Sequence, residues 1–354
     1  MHDLEFEHVH VDDAAETREI REAIWAADNV ELTTVGIDIG SSTSHLMFAR
    51  VHLSRLATGL SSRFVVVERK ILWQSPILLT PYLPDFTIDT GALAEFINRS
   101  YAAAGLTRAK IDSGAVILTG EALKRKNARA IADLFSEESG KFVCASAGHH
   151  MECQLAAHGS GAVKLSASRA KTVLNVDIGG GTTKLAIAEK GRVTATAALH
   201  LGGRLLVVDG SGRLARLEPA GQRLAKEAGY EWKRGDAVRP SDLDRVAEHI
   251  ADSLLRFDAH YLTERIALEG IEGVMFSGGV AEYIYGREER EFGDLGKRIG
   301  FCIRNKIKSL PWPLLPPGEC IRATALGASE YSVQLSGNTC YISNPGALLP
   351  RRNL

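Results

Sequence analysis

No apolar run in this 354-residue chain approaches the ~20 residues that a membrane-spanning helix needs. The opening MHDLEFEHVHVDDAAETREI is acidic and lacks an apolar h-region, so it does not read as a signal peptide. An excess of either charge is also missing: 42 Lys and Arg stand against 43 Asp and Glu, for a formal net charge of −1. That balance argues against nucleic acid or an anionic membrane as a partner held by bulk electrostatics. Cysteine is sparse. The five (Cys144, Cys153, Cys302, Cys320 and Cys340) are odd in number and form no CxxC, so a reducing, cytoplasmic setting is expected.

The chain is long enough for two hydrophobic cores. Residues 1–33 form an acidic arm whose only Lys or Arg residues are Arg18 and Arg21. Ile20, Ala23, Ile24 and Ala27 give it one weak stripe at helical spacing, which fits a solvated arm or a docking helix. The most informative feature occurs twice. VGIDIGSSTSHLMFAR (35–50) and LNVDIGGGTTKLAIAE (174–189) superpose with an offset of 139 positions, taking Asp38 to Asp177, Gly40 to Gly179 and Thr43 to Thr182.

Each copy reads as strand, tight turn, strand. Further strands are expected at Phe64–Val67 and Lys70–Trp73, and 114–122 is read as a strand running into a Gly-Glu turn with a helix from about Ala122. A helix over 90–104 takes Thr90 as its cap and presents Leu93, Phe96 and Ile97 on one face. KFVCASAGHHMECQLAAHG (141–159) reads as strand, small-residue turn and helix. The second half repeats this order. A helix capped by Ser241 aligns Leu243, Val246, Ile250 and Leu254, GVMFSGGVAEYI (273–284) is a buried strand entering a helix, and 321–333 is a Gly/Ala-rich helix. Two related α/β lobes are expected.

A glycine turn brings backbone N–H groups close to a ligand, and Thr and Ser hydroxyls complete an anion cradle. An Asp at the end of the first strand would repel phosphate unless a cation lay between, which points to Mg²⁺ held partly through water. Two such hairpins could clamp a polyphosphate from both walls of a cleft. The candidate cradles are Gly40, Ser41, Ser42, Thr43 and Ser44 on one side and Gly179, Gly180, Gly181, Thr182 and Thr183 on the other. Asp38 and Asp177 are the candidate metal holders. Glu121, in a TGE turn, is the candidate acid for orienting water. Gly278, Gly279 and Glu282 offer a strand end for a base and ribose, and Gly327 lies in a close-packed helix.

This order of five segments resembles the actin-like ATPase superfamily of actin, sugar kinases and the seventy-kilodalton heat-shock chaperones. The resemblance implies ATP and Mg²⁺ between two lobes of a ribonuclease H-like fold. In its terms Gly120–Glu121 and Ala323–Gly327 are the two connecting segments. The segments WQSPILLTP (73–81), DSGAVILTGEALKRKNAR (112–129), FVCASAGHHME (142–152), LGGRLL (201–206) and IRATALGAS with LSGNTCY (321–341) are similar to the EutA family. That family implies an ATP-driven factor that frees damaged cobalamin from adenosylcobalamin-dependent ethanolamine ammonia-lyase, so the lyase with its cobalamin is the expected partner. A homodimer and association with a bacterial microcompartment also fit.

The expected domains are the arm (1–33), lobe I (34–170 plus 321–354) and lobe II (171–320), with the family's C-terminal region absent after LLPRRNL. Lys184 is a base where the wider superfamily has neutral or acidic residues. The rival functions are a small-molecule kinase, a polyphosphate hydrolase and an ATP-binding scaffold or filament protein. His149 and Cys153 lie one helical turn apart but match no closed zinc pattern. KRKNAR (124–129) is read as a solvated helix face or a phosphate or partner contact.

Overall fold

The computed structural model describes residues 25, 28–40, 42–55, 64–83, 87–118, 142–146 and 148–336. Glu121, Ser41, the KRKNAR run, Cys340 and the arm up to residue 24 lie outside the described residues. In chain order, the first part comprises β1 (Asn29–Ile39), β2 (Thr43–Arg55), β3 (Phe64–Gln74), β4 (Leu78–Leu79), α1 (Thr90–Ala104), β5 (Ser113–Leu118), β6 (Phe142–Ser146), α2 (His149–Gly159) and α3 (Ala162–Ser168). The second comprises β7 (Val173–Ile178), β8 (Thr183–Glu189), β9 (Arg192–Leu199), β10 (Leu206–Val208), β11 (Leu214–Leu217), α4 (Pro219–Glu227), α5 (Pro240–Arg256), β12 (Gly273–Ser277), α6 (Ala281–Ile284), α7 (Gly296–Lys306) and α8 (Ala323–Ser336).

The two main sheets share one plan. β1, β2 and β3 form an antiparallel meander, and β5 then β6 add parallel on the other side of β1. β7, β8 and β9 repeat the meander, and β12 adds parallel on β7. The duplication extends to individual bonds. The Gly40 N–H donates to the Thr43 carbonyl at 3.0 Å, and the Gly179 N–H to the Thr182 carbonyl at 3.0 Å. Asp38 pairs across its hairpin with His45, and Asp177 pairs across its own with Lys184.

One face of each sheet is covered by amphipathic helices, of which α1 and α5 are the ones the periodicity predicts. In lobe I, Leu93, Phe96, Ile97 and Tyr101 of α1 cluster with Val35, Ile37, Leu46 and Phe48. In lobe II, Leu243, Val246, Ile250 and Leu254 of α5, with Ile299 and Ile303 of α7, cluster with Leu174, Val176 and Leu185. The helix starts differ from the sequence reading by one residue in α1 and by two in α5. Asp89, not Thr90, caps α1, its Oδ1 accepting the Ala92 N–H at 3.0 Å. α5 begins at Pro240 after Arg239, since proline at the first helical position needs no N–H partner.

The layer between the sheets is built from small residues. Leu155 of α2 packs with Ala115 and Ile117 of β5 and Ala328 of α8. Cys153 and Ala157 of α2 pack with Ala186 and Ala188 of β8. Thus α2 touches both sheets. Where α2 meets α8, the approach is closer than any side chain permits: a Cβ on Gly327 would overlap the Leu155 carbonyl, and one on Gly159 the Ala323 carbonyl. Both obstacles are backbone and cannot rotate away.

Gly327→Val should therefore force the helices apart and destabilise the fold by about 1–3 kcal/mol. Thermal unfolding of the variant checks this, and an unchanged melting temperature would refute the close crossing.

Candidate functional site

The two glycine turns face each other across a cleft of about 160 Å³. Asp38, Gly40, Ser42 and Thr43 line it from the first hairpin, and Asp177, Gly179, Gly180, Gly181 and Thr182 from the second. Gly278, Gly279 and Glu282 join them from the end of β12. The turns meet at Gly180, where an added Cβ would overlap Ser42 Oγ. A glycine at that point lets the lobes close upon each other.

Three expected residues lie outside the lining. Ser44 is buried with its hydroxyl 3.0 Å from that of Thr80, and Thr183 donates to the Leu201 carbonyl at 2.9 Å. Both stabilise the turns from behind. Gly327 belongs to the α2–α8 crossing.

Each aspartate stands on support that short motifs do not reveal. Asp177 is buried and accepts from Ser277 Oγ at 2.8 Å. Ser277 accepts from Asn175 Nδ2 at 3.1 Å, and Asn175 Oδ1 accepts from Ser160 Oγ at 2.9 Å. This buried chain runs from the end of α2 to the cleft floor. Asn175 was detectable: in an apolar strand, the residue two before an Asp shares its face. On the lobe I side, the segment 73–81 holds the first turn. Thr80 donates to the Gly40 carbonyl at 2.7 Å, and Ser75 Oγ accepts the Leu46 N–H at 3.0 Å. Ile77 and Leu79 of the same segment line the cleft. From LGGRLL, Gly203 and Arg204 line it too, with the Arg204 N–H donating to the Gly180 carbonyl at 2.7 Å.

The electrostatics are acidic. Among the described lining residues, six carboxylates (Asp38, Glu152, Asp177, Glu282, Glu288 and Asp294) face two cations, Lys184 and Arg204. Arg204 is bound to Asp294 at 2.7 Å, and Lys184 to Glu152 at 2.5 Å. Burial alone would lower the Lys184 ammonium. The charges of Glu152 and Asp177 outweigh it and hold the group above the ordinary lysine value, so it stays protonated. Burial raises Asp177 above the usual carboxylate range despite Lys184 and Ser277. His45 Nε2 lies 3.8 Å from Asp38 Oδ2, yet no ion pair forms, because burial and the neighbouring Arg322 push the imidazole down to about 3.

A cation with an anionic ligand fits this lining. Buried Ser42 Oγ and His45 Nδ1 have no hydrogen-bond partner among the described residues. Mg²⁺ needs only one or two carboxylates plus waters and phosphate oxygens, which Asp38 and Asp177 can supply. A transition-metal cage does not fit. Among the described residues no cluster of three His, Cys, Asp or Glu side chains is placed to hold a metal. Cys153 is buried, donates to the Ala197 carbonyl at 3.2 Å, and is pushed up to about 12 by burial, so it is a packing thiol and not a ligand. No helix among the described residues is long and apolar enough to cross a membrane.

Fold and site together define a two-lobed α/β protein with an acidic, glycine-walled cleft between duplicated hairpins. The sequence model of the family described as "Ethanolamine utilisation protein EutA" matches residues 30–354, and the chain belongs to that family. It is 35% identical over 338 residues to the ethanolamine ammonia-lyase reactivase EutA of Salmonella typhimurium strain LT2, covering 92% of this chain and 72% of the relative. The reactivase EutA of Escherichia coli K12 is 34% identical over the same shares. Among solved structures, the chain is similar to the ethanolamine utilization protein EutJ of Carboxydothermus hydrogenoformans (17% identity, 85% of this chain and 90% of that one, TM-score 0.42). It is also similar to component A of the Acidaminococcus fermentans (R)-2-hydroxyglutaryl-CoA dehydratase (14% identity, 87% and 100%, TM-score 0.44).

Two outcomes follow. Gly180→Ala should hold the turns apart and weaken anion binding in the cleft, while the lobes still fold. Titration calorimetry with a nucleotide reads the first effect and circular dichroism the second. Because the His45 pKa is lowered from 6.5 to about 3 in the folded state, the unfolded chain binds the extra proton between those values. His45 therefore makes stability fall as pH drops below 6.5, by at most about 1.4 kcal/mol per pH unit. His45→Gln should flatten that acid limb in denaturant titrations from pH 7 to 4, and an unchanged slope would refute the burial assignment.

Proposed function

We propose that this chain is an ATP-dependent reactivating factor for ethanolamine ammonia-lyase, releasing damaged cobalamin so that intact cofactor can bind. The observation that carries the reading is the pairing of family membership with two equivalent Asp–Gly turns that meet across one acidic cleft. An acidic lining repels a bare polyphosphate, so binding must be divalent-dependent. When bound, Mg-ATP would supply a hydrolysable phosphoanhydride, and the energy difference between its two nucleotide states would drive the lobes.

In this reading Asp38 and Asp177 hold the metal through water, with Asp177 fixed in place by Ser277 and Asn175. Ser42, Thr43 and Gly179–Thr182 cradle phosphate. Gly278, Gly279 and Glu282 take the nucleoside end; Glu282 is anchored by accepting the Ile321 N–H at 3.1 Å. Glu121 is assigned the orienting of water from its sequence position alone. The lobes would rotate about the α2–α8 crossing, whose bare backbone contact tolerates sliding but not bulk.

Mg-ATP should raise the melting temperature, and ATP with EDTA should not. The purified chain should restore lyase inactivated by cyanocobalamin only when ATP and Mg²⁺ are both present. Cobalamin release at equal rates without nucleotide would overturn the reading.

A further inference from the structure

The two hairpins are equivalent in backbone but not in charge. At the same cross-strand position, opposite each aspartate, lobe I carries His45 and lobe II carries Lys184. His45 is neutral, and Lys184 is a buried ammonium. Its Nζ lies beside the second turn, 3.9 Å from where a Cβ of Gly179 would stand. It also feels the charges of both aspartates. Its partner Glu152 is 2.5 Å away on α2, and the two side chains are only 9% and 3% exposed.

Stability does not explain this pair. A buried ion pair is often no better than well-packed apolar residues of the same size, because desolvation offsets the attraction. Nor does it neutralise the floor, where Asp38, Asp177 and Glu152 outnumber Lys184. Lys184 is then left as a cation fixed to the protein, whereas the metal arrives with the ligand.

We infer that Lys184 is the contact for the terminal phosphate of a nucleoside triphosphate in this cleft, and that Glu152 is its positioning residue. The inference rests on the nucleotide reading above and deepens it. Lys184 Nζ stands beside the Gly179 turn, in the same lining as Gly278, Gly279 and Glu282. A cation fixed there is placed to meet a phosphate of a bound nucleotide, and the assignment to the last one makes it the group that distinguishes triphosphate from diphosphate. Since Glu152 projects from the helix that touches both sheets, the contact also links the ligand to the α2–α8 crossing.

The test measures affinity of the full chain for ATP and ADP, each with Mg²⁺, by titration calorimetry. Lys184→Met is expected to weaken ATP by about tenfold or more, as for loss of a hydrogen bond to a charged group. ADP should weaken by less than about threefold on the same scale. Lys184→Arg should recover part of the preference. Because Lys184→Met leaves Glu152 buried and unpaired, the Lys184→Met/Glu152→Met double variant provides a folded control. It should melt near the parent temperature and show the same selective loss for ATP. Glu152→Gln should reduce the ATP preference without abolishing it. Equal losses for both nucleotides, or unchanged ATP affinity in the folded double variant, would overturn the assignment. If the parent chain bound neither nucleotide, the nucleotide reading itself would fail, and this inference with it.

Discussion

The cleft depends on a backbone contact made elsewhere. α2 and α8 cross between the two sheets at Gly159 and Gly327, so close that neither position can carry a side chain. With no Cβ in the way, the sheets approach until the Gly180 turn rests on Ser42. Two hairpins that would otherwise be independent surface turns thereby become opposite walls of one site. The alanines around the crossing, from Ala115 to Ala328, are part of the same constraint.

Within that frame the site is organised by electrostatic asymmetry. Duplicated backbones could have produced duplicated chemistry, but the residues opposite the two aspartates diverge. Burial keeps His45 neutral, whereas Glu152 and Asp177 keep Lys184 charged. Lobe II consequently supplies the fixed cation, and lobe I supplies a turn buttressed by neutral hydroxyls at Ser44, Ser75 and Thr80. Arg204 adds a second cation at the side of the cleft, held by Asp294.

The segments that distinguish the EutA family now have physical roles. WQSPILLTP holds the first turn and adds Ile77 and Leu79 to the lining. LGGRLL lays Gly203 and Arg204 against the second turn. The helix of FVCASAGHHME carries Glu152 to the floor. A resemblance read as a family label is thus also a description of how the cleft is supported.

The sequence by itself determined the duplication, the strand–turn–strand form of both copies, the Asp and Gly positions and the helix faces at Leu93 and Leu243. These depend on neighbours a few residues apart, and periods of 2 and 3.6 make such neighbours visible. It could not show that Thr183 and Ser44 lie outside the cleft lining, that Asp89 rather than Thr90 caps α1, or that Gly327 serves a helix crossing. Above all, only the tertiary structure joined Glu152 to Lys184, Thr80 to Gly40 and Ser160 to Asn175. Those partners sit on different elements, and no local spacing encodes them. Burial then decided which charges persist, because the cost of desolvation depends on the surrounding fold and not on residue type alone.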